Sequence, residues 1–426
     1  NTIALYPVAY GTVSESEVDL VWQSANMLEQ NRQYSLQIDT TSTFTSLYSS
    51  SHQINGGLFN MYNLDLSSLP DSTTIYWRTR FAEAVASEDT NWVNSSFTLV
   101  LDQPQSWAQI GHAQFEANAR NGVSYDISTG IYEFEETSTG IQLNTHGPNS
   151  TLQYEDYQVV VDGLNLLLTD NAADPTCKRR DAINAVVFDR QTAQPYRPLG
   201  VSGSDVFNDL VCGRLPQMVH NFNESNVLGA NRYLDALVDA MDDRDVILLF
   251  SFGTVNFSNW DAQLIASLNL VGIQTETING LQDGQPVIFV GKKGSDEGEA
   301  IEITSNGSSI PVENQALELI STVTGKFSSG NVTSTRIGPA FSWDTFLYNV
   351  NGEVNDSWRV DISGVTESGQ VNQLFVGNRM ATSATEVDLQ SVDANQYPFL
   401  QLDYIFADLT DQTPPTLDSW SVAYQQ

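Results

Sequence analysis

A chain of 426 residues is too long for one ordinary hydrophobic core, and at roughly 100–200 residues per domain it divides into two to four. Its 52 Asp and Glu against 18 Lys and Arg give a formal charge of −34, which argues against nucleic acid and anionic membrane surfaces as partners. No run approaches the ~18 apolar residues of a membrane-spanning helix, and no basic stretch precedes an apolar one at the start of the chain.

Lys178, Lys292, Lys293 and Lys326 are the whole complement of lysine, so carboxylates, Ser, Thr, Asn and Gln must keep the surface wet. That suits an extracellular, salty setting. The sequence opens at Asn1 in strand-like residues, as a processed product or an excised fragment would.

The first hundred residues read as strands. Tyr34, Leu36 and Ile38 alternate with polar neighbours; Ile75, Trp77, Thr79 and Phe81 alternate with Tyr76, Arg78 and Arg80. Leu69-Pro-Asp-Ser72 punctuates them, and residues 1–103 are expected to form a β-sandwich of the fibronectin or immunoglobulin kind. From Trp107 to Tyr154 the pattern continues through Val123, Tyr125 and Ile127, then Ile131, Tyr132 and Phe134, then Ile141 and Leu143. This stretch, residues 104–156, is too short to close a sandwich alone, so its missing strands must come from elsewhere.

The middle changes character. Ile183–Phe188, Asp245–Phe250 and Pro286–Val290 are short apolar runs of the type buried on both faces. Leu234, Leu237, Val238 and Met241 recur at helical spacing, as do Trp260, Leu264, Ile265 and Leu268 after Ser258 as N-cap. Residues 157–308 therefore read as an inserted α/β domain. After Pro311, Leu317, Leu319 and Ile320, then Trp358, Val360 and Ile362, then Leu400, Leu402, Tyr404 and Phe406 return to β patterning, and Leu417 and Trp420 follow Pro414-Pro415 as an edge strand. Residues 309–426 are expected to complete the sandwich begun at Trp107. The fold class is thus mainly β and multi-domain, a fibronectin-like sandwich followed by a jelly-roll-like sandwich with an α/β insertion.

Cys177 and Cys212 have no CxxC spacing and no metal-site histidine beside them, so a disulfide is the expected state. His220 lies near Cys212, but no small-residue nucleophile motif surrounds the thiol. Gly-x-Ser-x-Gly is absent, and Gly200-Val-Ser-Gly-Ser204 has the wrong spacing. Gly291-Lys292-Lys293-Gly294 follows a strand without opening a phosphate-binding helix; half of the lysines stand there, which makes Lys292 and Lys293 candidate ligand contacts beside a solvated turn as the ordinary account. Trp260 joins them, because an indole face stacks on a sugar ring, although core packing explains most of the eight tryptophans. Asp239, Asp242, Asp243 and Asp245, or Asp408 and Asp411, lack the alternating loop of a calcium hand. A structural calcium is the one ion these acids leave open; no cofactor is expected.

Tyr34-Ser-Leu-Gln-Ile-Asp-Thr-Thr-Ser-Thr-Phe44, Ile75-Tyr-Trp-Arg-Thr-Arg80 and Trp92-Val-Asn-Ser-Ser-Phe97 resemble the fibronectin-like domain downstream of the peptidase in gingipain-type proteins, surface and secreted proteins of bacteria with type IX secretion. Trp107-Ala-Gln109, Arg336-Ile-Gly-Pro-Ala-Phe-Ser-Trp343 and Thr413-Pro-Pro-Thr-Leu-Asp-Ser-Trp420 are similar to the continuation of the same proteins. The insertion resembles an ILEI/PANDER-like domain through Cys177, Asn184-Ala-Val-Val-Phe-Asp189, Asp245–Phe250, Gly291–Gly294 and Glu299-Ala-Ile-Glu302, but Ser251-Phe-Gly-Thr-Val-Asn256 replaces the family's Asp-containing segment. The resemblance implies a non-catalytic accessory region, extracellular or on the bacterial cell surface, that binds a glycan or a protein or scaffolds its neighbours. A polysaccharide-active enzyme with an unrecognised carboxylate pair, and a subunit of an adhesin or filament, are the alternatives.

Overall fold

In the strand Thr73–Phe81, Ile75, Trp77, Thr79 and Phe81 are buried while Tyr76, Arg78 and Arg80 turn to the opposite face, and the same two-residue period shapes most of the molecule. The computed structural model describes residues 1–83, 91–101, 106–153, 156–167, 181–198, 218–230, 232–377, 385–410 and 412–425. They form two compact units: Asn1–Glu135 with Ser328–Gln426, and Glu136–Phe327. The protein is mainly β and multi-domain, built as packed sheets, and the α-helices among the described residues all belong to the second unit.

The first unit begins as a fibronectin-like sandwich. Thr2–Tyr6, Glu17–Ser24 and Phe59–Asp65 make one sheet, and Ser50–Gly56, Arg32–Asp39, Thr73–Phe81 and Val93–Leu99 belong to the other. Trp22, Tyr34, Leu36, Ile75, Trp77 and Phe97 fill the core between them.

The second of these sheets does not stop at Val93–Leu99. Gly11–Val13 runs parallel to that strand and pairs antiparallel with Ser106–Gln109, which carries the sheet on through Thr416–Gln425 and Ser342–Asn351 to Thr385–Asp388. The join is stitched by the Ala108 amide on the Tyr10 carbonyl at 2.7 Å and the Ser106 amide on Thr12 Oγ1 at 2.9 Å. A five-stranded sheet of Ala119–Asn121, Ser329–Thr333, Phe399–Ala407, Ser357–Val365 and Val371–Phe375 supplies the second sandwich with Trp358, Val360, Ile362, Leu402, Tyr404 and Phe406 as buried side chains. Early and late segments therefore share both sheets.

Three strand expectations need correcting here. Thr416–Gln425 is not an edge strand: it pairs with Ser342–Asn351 on one side and Ser106–Gln109 on the other. Pro414 and Pro415 end before the strand begins, so every ladder N–H remains available. Ile127 lies beyond the hairpin strand Val123–Asp126 and is exposed, and Ile320 is 73 % exposed because Leu317 and Leu319 already claim the inward parity.

The second unit is three layers. Its central sheet contains Pro195–Tyr196, Ala182–Phe188, Val246–Phe252, Ile288–Lys292 and Ile301–Ile303, with His220–Asn223 also on Ala182–Phe188, and every pairing is antiparallel. Ile183, Ala185, Val187, Ile247, Leu249 and Phe289 face helical residues Leu234, Leu237, Val238, Leu264 and Leu268. Val186, Phe188, Leu248, Phe250 and Ile288 face Ile141, Leu143, Val159, Leu317 and Val323 of a smaller sheet. Both faces of each central strand are buried, which is why these runs are continuously apolar.

That smaller sheet moves the boundaries. Glu136–His146 and Ala316–Lys326, expected in the β-sandwich, pair along their whole length and cover the central sheet, so the unit spans Glu136–Phe327 rather than 157–308. Ser258 is not a helix N-cap. Asp261 caps Ala262–Asn269 by accepting from the Leu264 amide at 3.0 Å, while Ser258 gives its amide (2.9 Å) and hydroxyl (2.7 Å) to Asp283.

Candidate functional site

The two lysines and Trp260 singled out in the sequence lie in the second unit and do not form one site. Lys293 Nζ donates to the carbonyls of Val238, Asp239 and Met241 at 2.8, 2.9 and 2.7 Å, which uses all three ammonium hydrogens at the end of the helix Tyr233–Ala240. Lys293 is a helix cap and not a ligand contact. Lys292 is exposed at the end of the strand Ile288–Lys292, opposite Val246.

Trp260 packs edge-on against Phe257, with centroids 4.9 Å apart, and borders a niche of about 70 Å³ with Asp181, Glu224, Thr254 and Asn256. The polar lining is already matched. Asn256 Nδ2 donates to Glu224 at 2.9 Å, Asn259 donates to the other oxygen, and the Thr254 amide donates to Asp181 at 2.7 Å. The niche has room for roughly two waters.

The acidic runs are structural where they are described. Asp245 is buried and accepts from the amides of Arg190 (3.0 Å) and Asp242 (2.9 Å) and from the Tyr196 hydroxyl; burial raises its pKa. Asp242 pairs with Arg190 at 2.8 Å, and Asp239 and Asp243 are exposed. Asp408 is buried and accepts the amides of Thr410 and Thr413, each at 2.8 Å. Among the described residues no group of three or more His, Cys, Asp or Glu is placed to hold a metal ion. Cys177, Cys212, the 200–204 glycine segment and Asp411 lie outside the described residues.

A different cleft, of about 250 Å³, opens in the first unit where the fibronectin-like sandwich meets the helical turn His112–Ala117. Three half-buried aromatic side chains line it: Tyr10, Phe44 and Tyr76. Asn94, Ser96 and Glu116 supply amide, hydroxyl and carboxylate groups beside them. Ser96 shares the face of Tyr76, and its Oγ accepts from Gln114 at 3.2 Å, whereas Ser95 pairs with Trp77 on the opposite, core-facing side.

Each aromatic is held for a separate reason. Tyr76 comes from the outward parity of Thr73–Phe81, and its hydroxyl reaches so close to Gly111 that a Cβ there would sit 2.6 Å away. Burial pushes its phenol up to about 12, with Tyr10 adding to the rise. Tyr10 and Phe44 sit in loops at φ 64° and 57°, a left-handed region that bulky residues rarely occupy and that costs on the order of 1–3 kcal/mol each. The Arg78 guanidinium holds Phe44, lying 4.0 Å from that ring and 4.6 Å from Trp92, while its Nε and Nη2 donate to Gln37 at 2.8 and 2.6 Å.

The sequence marked Tyr76, Arg78 and Phe44 as strand or motif residues but not as a site. Tyr10 and Glu116 had no periodic signal at all.

No family model and no curated protein matches the chain. Solved structures similar to it include an α-L-rhamnosidase from Dictyoglumus thermophilum, at 7 % identity and a TM-score of 0.19, over 99 % of this chain and 48 % of that one. Carbohydrate-binding modules of the β-sandwich superfamily align at 7 % identity and a TM-score of 0.15, over 100 % of this chain and 97 % of theirs. A two-domain protein of unknown function from Bacteroides fragilis aligns at 7 % identity and 0.16, over 99 % and 93 %. This chain spans about half the length of the rhamnosidase it matches.

Proposed function

We propose that this protein is a non-catalytic, extracellular binding region that holds one sugar ring of a glycan in the cleft of Tyr10, Phe44 and Tyr76. The carrying observation is the convergence of three half-buried aromatic side chains with Asn94 and Glu116 in about 250 Å³. Aromatic faces accept the apolar C–H face of a pyranose, and a few fixed polar groups then choose among its hydroxyls. The volume is roughly eight waters' worth, the scale of a single ring rather than a long chain. The left-handed backbone at Tyr10 and Phe44 supports the reading, since backbone strain gathers at functional sites. The proposed extracellular setting rests on the sequence resemblance to gingipain-type accessory regions alone.

Titrating a panel of oligosaccharides into the full chain by calorimetry tests this. Phe44→Ala is expected to weaken the tightest ligand at least about tenfold, because it removes one aromatic wall and leaves Arg78 with Trp92. Wild-type affinity retained in this variant rejects the cleft, and steady release of reducing ends from the bound sugar makes the protein an enzyme.

A protein partner is the second reading, favoured by the outer face of the three-stranded sheet. Ile3, Gln23 and Phe59 form one cross-strand row there and Tyr6, Val21 and Met61 the next, with Phe59 and Met61 64 % and 61 % exposed.

A further inference from the structure

Resting on the glycan reading, we infer that the cleft accepts uncharged sugars and turns away sugars that carry a carboxylate or sulfate. Among the described residues that line it, Glu116 is the one charged group. Its carboxylate is close enough to add to the burial that raises the Tyr10 phenol.

No Lys or Arg is among the described residues that line the cleft, and the guanidiniums near it are oriented by neutral partners. Arg78 lies between the Phe44 and Trp92 rings and donates to Gln37; Arg80 lies 4.3 Å from the centre of the Trp92 ring. Arg120 Nη1 donates to the carbonyls of Phe115 and Glu116 at 3.2 and 3.3 Å. An anionic sugar entering the cleft therefore meets a carboxylate in a lining whose described residues include no guanidinium. The chain's charge of −34 adds a longer-range field of the same sign. A neutral pyranose meets no such cost, and its hydroxyls can donate to Glu116 and Asn94.

Rejection here is built from repulsion, so it should respond to charge and to salt. The probes are neutral oligomers of glucose, mannose and galactose and length-matched oligogalacturonate and oligoglucuronate, titrated into the full chain and into Glu116→Gln. Glu116 is exposed, so the variant is expected to fold. The expected result is a neutral ligand bound at least about tenfold more tightly than any uronate, a gap that narrows as salt is raised, and a uronate-to-neutral affinity ratio about tenfold higher in Glu116→Gln. A wild-type protein that binds uronates as well as neutral sugars, or a ratio unmoved by the substitution, overturns the charge selection and leaves the glycan site standing. If no member of the panel binds, both the selection and the glycan reading fall together.

Discussion

Lys293 and Val238 stand 55 positions apart, yet the lysine ammonium lies 2.8 Å from the valine carbonyl at the last turn of a short helix. The same nitrogen reaches the carbonyls of Asp239 and Met241, so one side chain serves three carbonyls at the helix end, of which Val238 also accepts from the Met241 amide at 3.4 Å. Lys293→Met is expected to lower stability by about 1–3 kcal/mol in urea unfolding. Glycan affinity should not change, since the lysine belongs to the second unit and the cleft to the first. A variant as stable as the parent would remove the capping role.

Gln109 organises a buried network in the first unit. Its Oε1 accepts from Trp420 Nε1 at 2.6 Å and from Asn118 Nδ2 at 2.8 Å, while its Nε2 donates to the Gln114 carbonyl at 2.7 Å. Gln109→Leu strands all three partners and should cost about 2–4 kcal/mol. A double-mutant cycle with Trp420→Phe is expected to give a coupling of roughly 0.5–3 kcal/mol. Simple additivity would mean that Trp420 does not depend on the glutamine.

His220 makes the second unit sensitive to acid. The ring is buried against Phe222 and neither nitrogen has a hydrogen-bond partner among the described residues; burial, aided by Arg197, lowers its pKa from 6.5 to about 4. A depressed folded-state value means that the neutral ring's contribution is present above pH 6.5 and is lost as pH falls toward 4. The loss amounts to about 3 kcal/mol across that window. His220→Leu should flatten the stability-versus-pH curve there by that amount; an unchanged slope assigns the acid sensitivity to other groups.

Gly111 tunes the cleft from outside its lining. Its backbone, at φ −79° and ψ 138°, suits any residue, but an added Cβ would press on the Tyr76 hydroxyl and on Thr74 Oγ1 at 2.6 and 3.1 Å. Gly111→Ala is therefore expected to keep stability within about 1 kcal/mol while moving the Tyr76 ring. Ligand affinity should fall several-fold, with a changed near-ultraviolet dichroism. A change in stability without a change in affinity would separate Gly111 from the site.

Periodicity made the strands legible wherever one face is buried, as in Tyr34, Leu36 and Ile38 or Leu400, Leu402 and Tyr404, and it made the central sheet legible because both its faces are covered. It could not name strand partners. Glu136–His146 alternates as a sandwich strand would, and only its pairing with Ala316–Lys326 shows that it covers the central sheet. A cap depends on which side chain reaches a free amide, which spacing does not report, so Ser258 is expected where Asp261 caps. The cleft was least legible, because Tyr10 and Phe44 come from loops and Glu116 from a single helical turn, none of which repeats.

The second unit starts at Glu136 and finishes one residue past its cross-strand neighbour Lys326, about 5 Å away at the spacing of paired strands. Entry and exit at one point mean that a coding segment for this whole module can be gained, swapped or deleted, with a tight turn closing the gap. Relatives of this protein should then differ by the presence or absence of the entire cassette, not by gradual erosion of its border.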